Sequence, residues 1–158
     1  MVEPRELFRP DALRIDWMNR GYLPSVVAIE RACVENAWLD ADFVRCLRAR
    51  DYFGQVALGP AGRLAGFCIY KVKPHRLRIL KLAVDPHDRR RGVGSRLVSS
   101  LKSDFGGAGH GRITIEVHEN NLATQLFFRA LGFRCVNVLR GYYNDQEAAY
   151  LFSWRSLA

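Results

Sequence analysis

The chain has 158 residues, 49% hydrophobic and 25% charged, a length and balance that point to one globular domain, 1–158, with a substantial core. No apolar run approaches the ~20 residues of a membrane-spanning helix, and the charged residues 1–6 lack the apolar stretch of a secretory signal, so a cytoplasmic protein is expected. The net charge of +8 calls for a polyanionic partner, a nucleic acid or a phosphorylated cofactor, and position along the chain has to decide between them.

Residues 13–18 read as a first short strand. Pro24 suits the first turn of a helix, where its missing N–H costs nothing, and Val26, Ile29 and Cys33 follow at helical spacing with Val27 and Val34 beside them. Asp40 is placed to cap a second helix whose apolar face is Phe43, Val44 and Leu47. Residues 55–58 and 64–70 predict two strands, joined by the tight turn Gly59-Pro60-Ala61-Gly62. A longer strand over 76–84 stops at Asp85-Pro86. The helix after it gathers Leu97, Val98, Leu101 and Phe105 on one face and runs out into Gly106-Gly107-Ala108-Gly109.

Residues 112–118 alternate, with Ile113, Ile115 and Val117 on one face and Thr114, Glu116 and His118 on the other. Asn120 or Asn121 caps a further helix, expected to bury Leu122, Leu126 and Ala130; Gly132 ends it in a left-handed cap on which Phe133 packs back. Two last strands, near 133–140 and 148–154, flank a polar loop bearing tyrosines. The order is strand, two helices, three strands, helix, strand, helix, two strands, which defines a mixed-sheet α/β domain. Cys33, Cys46, Cys68 and Cys135 are scattered among core-like residues and predict buried, reduced thiols. The four histidines show no metal-ligand spacing, so no metal is expected.

The segment Arg89-Arg90-Arg91-Gly92-Val93-Gly94-Ser95 joins a strand ending in Val84-Asp85-Pro86 to an amphipathic helix. Free N–H groups and the positive helix end make such an entrance a phosphate site, and glycine allows close approach of a pyrophosphate. Leu97 stands where a dinucleotide fingerprint needs its third glycine, and no Gly-Lys-Ser/Thr of a Walker loop is present. The remaining pattern, Arg-x-x-Gly-x-Gly, resembles the coenzyme A pyrophosphate loop of the GNAT superfamily. The resemblance extends to residues 116–121 and to Phe128-Arg129-Ala130-Leu131-Gly132-Phe133. Residues 23–38 and Arg140-Gly141-Tyr142-Tyr143-Asn144 are similar to the RimI-like branch, the ribosomal-protein-alanine N-acetyltransferases.

The resemblance implies a GNAT acyl-CoA N-acyltransferase fold, about seven strands in a mixed sheet with four helices. It also implies acetyl transfer from acetyl-CoA to a primary amine. It assigns the pantetheine arm to backbone groups of Leu82, Ala83 and Val84, the pyrophosphate to Arg89 through Ser95, and a cofactor contact to Asn121, which equally suits a helix N-cap. Glu116 matches the branch's general base, which the reaction requires because an ammonium must lose a proton before it attacks a thioester. A glutamate held by a basic neighbour, or lying on a wet sheet face, would look the same in sequence. Phe128 occupies the cofactor-side position where the family commonly carries a tyrosine acid, leaving Tyr143 or Tyr142 as candidates for that proton, or none at all. His118 shares the face of Glu116 and is a candidate proton relay. The expected acceptor is a protein N-terminal α-amine, an alanine of a ribosomal protein. Lysine, polyamine or aminoglycoside acetylation and non-catalytic coenzyme A binding stay open. Because the arginine run coincides with the cofactor loop, direct nucleic-acid binding is not expected, short of docking onto a ribosome or its RNA.

Overall fold

The computed structural model describes residues 12–106, 111–143 and 146–156. Residues 1–6, Gly107, Ala108, Gly109 and Asn144 lie outside them. Four α-helices and seven strands follow in the expected order. They are β1 (Arg14–Trp17), α1 (Leu23–Cys33), α2 (Asp40–Arg48), β2 (Tyr52–Leu58), β3 (Leu64–Lys73), β4 (Arg76–Val84), α3 (Val93–Gly106), β5 (Arg112–His118), α4 (Leu122–Ala130), β6 (Arg134–Leu139) and β7 (Ala149–Arg155). The strands form one sheet in the order β1-β2-β3-β4-β5-β7-β6. It is mixed, because β4 and β5 pair in parallel while β1–β2, β5–β7 and β6–β7 are antiparallel. No helix of the described residues is long and apolar enough to cross a membrane.

The chain forms two compact units. Among the described residues the first comprises 12–68 and 82–98, the second 69–81, 99–106, 111–143 and 146–156. In the first, α1 begins with Pro24 in its opening turn and buries Val26, Val27 and Ile29. Val34 does not continue that stripe: the backbone is already extended there (φ −130°, ψ 130°), and its side chain is exposed. The cap of α2 is supplied not by Asp40, its first helical residue, but by Asp42, which reaches back to accept the Leu39 N–H at 2.9 Å. Phe43 and Cys46 are the buried residues of α2, while Val44 and Leu47 are half-buried. Phe43 meets Phe67 of β3 edge-on, with centroids 5.8 Å apart. The β2–β3 turn needs left-handed backbone at Ala61 (φ 58°) and Gly62 (φ 73°).

In the second unit Ile113, Ile115 and Val117 of β5 are buried, as their alternation predicts. The α4 face is different from expectation. Leu122 is 62% and Leu126 53% exposed, Ala130 is also exposed, and the buried residue is Phe128. Two apolar stripes lie side by side on this helix, and the aromatic one wins because the larger ring removes more apolar area from water. Gly132 (φ 88°) turns the chain so that Phe133 packs on Phe128 at 5.1 Å. Lys102 of α3 caps the same corner, donating to the Leu131 carbonyl and lying over the Phe133 and Trp154 rings at 5.6 and 5.0 Å. Burial pulls the Lys102 ammonium below its ordinary pKa. At the end of the sheet β6 pairs with β7 through an irregularity: Cys135 faces Phe152 and Asn137 faces Leu151, which leaves Val136 as an extra, unpaired residue. The thiols are free. Cys46 and Cys68 are buried as expected, but Cys33 is half-buried and Cys135, on strand β6, is exposed.

Candidate active site

The phosphate-loop residues lie in the first unit. Leu82, Ala83 and Val84 end β4, and the Asp85 N–H donates to the Ala65 carbonyl at 2.8 Å, which fixes the strand's exit beside β3. Asp88 is 1% exposed. Its Oδ1 accepts from Arg63 Nη2 at 2.7 Å and lies 3.8 Å from Arg91 Nη1. That hydrogen bond and the two nearby carboxylates hold the Arg63 guanidinium above its ordinary pKa. Anchored in this way, the loop passes through left-handed backbone at Arg90 (φ 62°) and Gly92 (φ 79°) before α3 begins at Val93.

The first intrahelical bond of α3 is Arg96 N–H to Gly92 carbonyl at 2.9 Å. The N–H groups of Val93, Gly94 and Ser95 therefore belong to the first turn, which has no carbonyl of its own helix to donate to. Arg89 and Arg90 are exposed, and Arg89 Nη2 also donates to the Cys33 thiol at 3.3 Å. Backbone donors, a positive helix end and arginines thus converge on one turn, which fits a pyrophosphate.

The titratable cluster lies in the second unit. The parallel register of β4 with β5 runs from Arg76↔Arg112 to Ile79↔Ile115, so Glu116 is the next β5 residue beyond the paired stretch. Its side chain is only 16% exposed, and Arg78 Nε donates to Oε2 at 3.0 Å. The same guanidinium donates from Nη2 to the Tyr142 hydroxyl at 3.0 Å. The Tyr142 and Tyr143 rings meet edge-on at 5.0 Å, and Tyr143 lies against the His118 ring at 4.8 Å. His118 Nδ1 accepts the Asn120 N–H at 3.1 Å, and its Nε2 is 2.9 Å from Glu147 Oε2. Glu147 also accepts from the Asn120 side chain.

Glu116, Tyr142, Tyr143 and His118 are thus joined in one run of contacts through Arg78. Asn121 caps α4, its Oδ1 accepting the Thr124 N–H at 3.2 Å, and Phe128 is fully buried between Phe127 and Phe133. Arg78 and Glu147 were missed from sequence. The alternation Arg76-Leu77-Arg78-Ile79 places Arg78 on a polar strand face, but which carboxylate it meets depends on register, which the sequence does not carry.

The Acetyltransferase (GNAT) family matches residues 23–133, most of the chain, and the chain belongs to that family. It is an acetyltransferase that takes its acetyl group from acetyl-CoA and delivers it to an amine. Among its relatives is the ribosomal protein bS18-alanine N-acetyltransferase of Escherichia coli, 27% identical over 121 residues, which are 77% of this chain and 80% of that one. The N-alpha-acetyltransferase of Saccharolobus solfataricus is 33% identical over 95 residues, 56% of this chain and 55% of that one. The crystal structure of the Escherichia coli ribosomal-protein-S18-alanine N-acetyltransferase shares the fold, with a TM-score of 0.82 at 23% identity over 92% of this chain and 95% of that one.

Proposed function

We propose that residues 1–158 work as one cytoplasmic domain that acetylates a protein N-terminal α-amine, an alanine of a ribosomal protein, with Glu116 as general base. The observation that carries this reading is the placement of Glu116, a carboxylate only 16% exposed on the polar face of β5 just past the end of the β4–β5 pairing; Arg78, at 3.0 Å, fixes its orientation and does not itself argue for a base. The names of the Escherichia coli and Saccharolobus relatives support the α-amine.

Acetyl-CoA supplies the thioester carbonyl. Backbone groups of Leu82, Ala83 and Val84 bind its pantetheine arm. Arg89, Arg90, Arg91 and the N–H groups from Gly92 to Ser95 bind its pyrophosphate. Asn121 makes a cofactor contact, whereas Phe128, fully buried against Phe127 and Phe133, presents no surface for one. Glu116 removes the proton from the acceptor ammonium, directly or through a water, and the amine nitrogen then forms the C–N bond as the C–S bond breaks. Tyr143 or Tyr142 borders the acceptor and supplies a proton to the departing sulfur, or the thiolate leaves unprotonated, since thiols ionise near ~8.5. An α-amine, ionising near ~8, gives up its proton more readily than a lysine near ~10.4.

The test offers the enzyme acetyl-CoA with two peptides, one with a free N-terminal alanine, the other N-terminally blocked with free lysines, and reads products by mass spectrometry. Acetylation of the first at its α-amine and poor turnover of the second are expected. Equal reaction of the lysines would overturn the α-amine assignment and favour a lysine acetyltransferase.

A further inference from the structure

Far along β4 and β5 from Glu116, three arginines stand side by side on neighbouring strands. Arg76 of β4 is the register partner of Arg112 in β5, and Arg112 is in turn the partner of Arg155 in β7. Register partners lie on the same sheet face, and strands are ~4.8 Å apart, so the row spans about 10 Å. The β3–β4 turn adds Lys73 and His75 to the same concave surface. Its backbone is fixed at two points, Arg112 N–H to His75 carbonyl at 3.3 Å and Ser156 N–H to Gly111 carbonyl at 3.1 Å. His75 itself adopts a left-handed conformation, φ 103°. Among the described residues, none of Arg76, Arg112 and Arg155 has a carboxylate partner.

Like charges placed directly opposite one another destabilise a sheet, and three in a row need a compensating anion. The guanidinium fork binds phosphate through two parallel hydrogen bonds. Among the described residues that line it, the surface offers no aromatic anchor of the kind that centres a protein interface or stacks a base. It is therefore suited to a phosphate backbone, which positions without reading sequence. A 10 Å row accommodates about two or three successive phosphates of one strand.

We propose that Arg76, Arg112 and Arg155, with Lys73 and His75, form a docking site for the phosphate backbone of single-stranded RNA, separate from the cofactor loop at 89–95. The choice of RNA over DNA rests on the ribosomal acceptor proposed above; the phosphate site does not.

The test titrates the full chain with a labelled, mixed-sequence RNA of about 20 nucleotides, followed by fluorescence anisotropy between about 50 and 200 mM salt. In the combined variant Arg76→Gln/Arg112→Gln/Arg155→Gln, affinity is expected to fall at least ~10-fold. The salt slope should shrink by about 2, three phosphates at roughly 0.7 each. The same variant should melt no lower than the wild type, since three opposed like charges are removed, and should acetylate the alanine peptide at the wild-type rate. Unchanged affinity and slope would overturn the site. A companion variant with lysine at all three positions retains the charge and should bind RNA more tightly than the glutamine variant; RNA binding no better than the glutamine variant's would also overturn it. Displacement of RNA by saturating coenzyme A would place the RNA at the cofactor loop, and equally tight binding of polyglutamate would replace nucleic acid by an acidic protein. Single-stranded DNA carries the same phosphates and should bind comparably, since no group of the site is assigned to the 2′-hydroxyl; failure of DNA to bind would overturn the phosphate-only contact. Peptide acetylation is measured without RNA, so failure of the acceptor assignment registers there and not in the anisotropy.

Discussion

The Arg78 guanidinium donates both to Glu116, through Nε, and to the Tyr142 hydroxyl, through Nη2, each at 3.0 Å. If Glu116 is the base, its replacement by glutamine keeps the shape and removes the proton acceptor, and turnover should fall by roughly 10²-fold while acetyl-CoA affinity, read by calorimetry, stays nearly constant. Arg78 acts through Glu116 as a positioning residue, so Arg78→Gln should lower kcat by about 10-fold, less than loss of the base itself. Arg78→Lys should recover part of that loss, since one ammonium still reaches the carboxylate; no recovery, together with a loss of thermal stability, would make the arginine merely structural. The place of Glu116 on the polar face of β5 was legible because a carboxylate alternating with Ile113, Ile115 and Val117 stands out on a strand. Its partner was not, because Arg78 and Glu116 are 38 residues apart and meet only through the parallel register.

The elements themselves were legible wherever one local signal dominated: β4 stops at Asp85-Pro86, β5 runs over the residues its alternation marks, and Asn121 caps α4 through its own side chain. Two signals were present on α4, and counting leucines did not reveal which stripe faces inward. Only Phe133, folded back by Gly132, makes the Phe128 side the interior. At the end of α1 the apolar periodicity outlasted the helix, so Val34 was misplaced. Close packing between β3 and α3 was likewise invisible in sequence. A Cβ on Gly66 would stand 2.8 Å from the Ala83 carbonyl oxygen and 3.0 Å from Val93 Cγ1. The first of these is backbone and cannot rotate away. Gly66→Ala should therefore cost about 1–3 kcal/mol by urea denaturation, and it should weaken acetyl-CoA binding by displacing the strand end and helix start that frame the loop.

Taken as a whole, the molecule responds to alkali through its interior thiols. Burial pushes the Cys68 thiol from 9.0 up to about 12, and burial together with the Asp51 charge raises Cys46. As pH rises the unfolded chain loses the Cys68 proton first, so the stabilisation is whole below pH 9.0 and is lost as pH rises toward about 12. The urea midpoint should fall across that interval, and Cys68→Ala should flatten the fall. Alkylation in the folded state should reach the exposed Cys135 rapidly and spare Cys68. Another property of the whole molecule turns on a single residue. Val136, 55% exposed, is the extra residue of β6, the last strand of the sheet, and Val138 beside it is exposed as well. An unbroken apolar outer strand is a template for accretion of further chains, and a bulge is one of the devices that spoils it. Deleting Val136 restores continuous pairing with β7 and straightens that rim. The shortened protein should convert with concentration into thioflavin-positive fibres, while the parent stays dispersed. Colloidal behaviour at the sheet's rim would then hang on a residue that takes no part in its register.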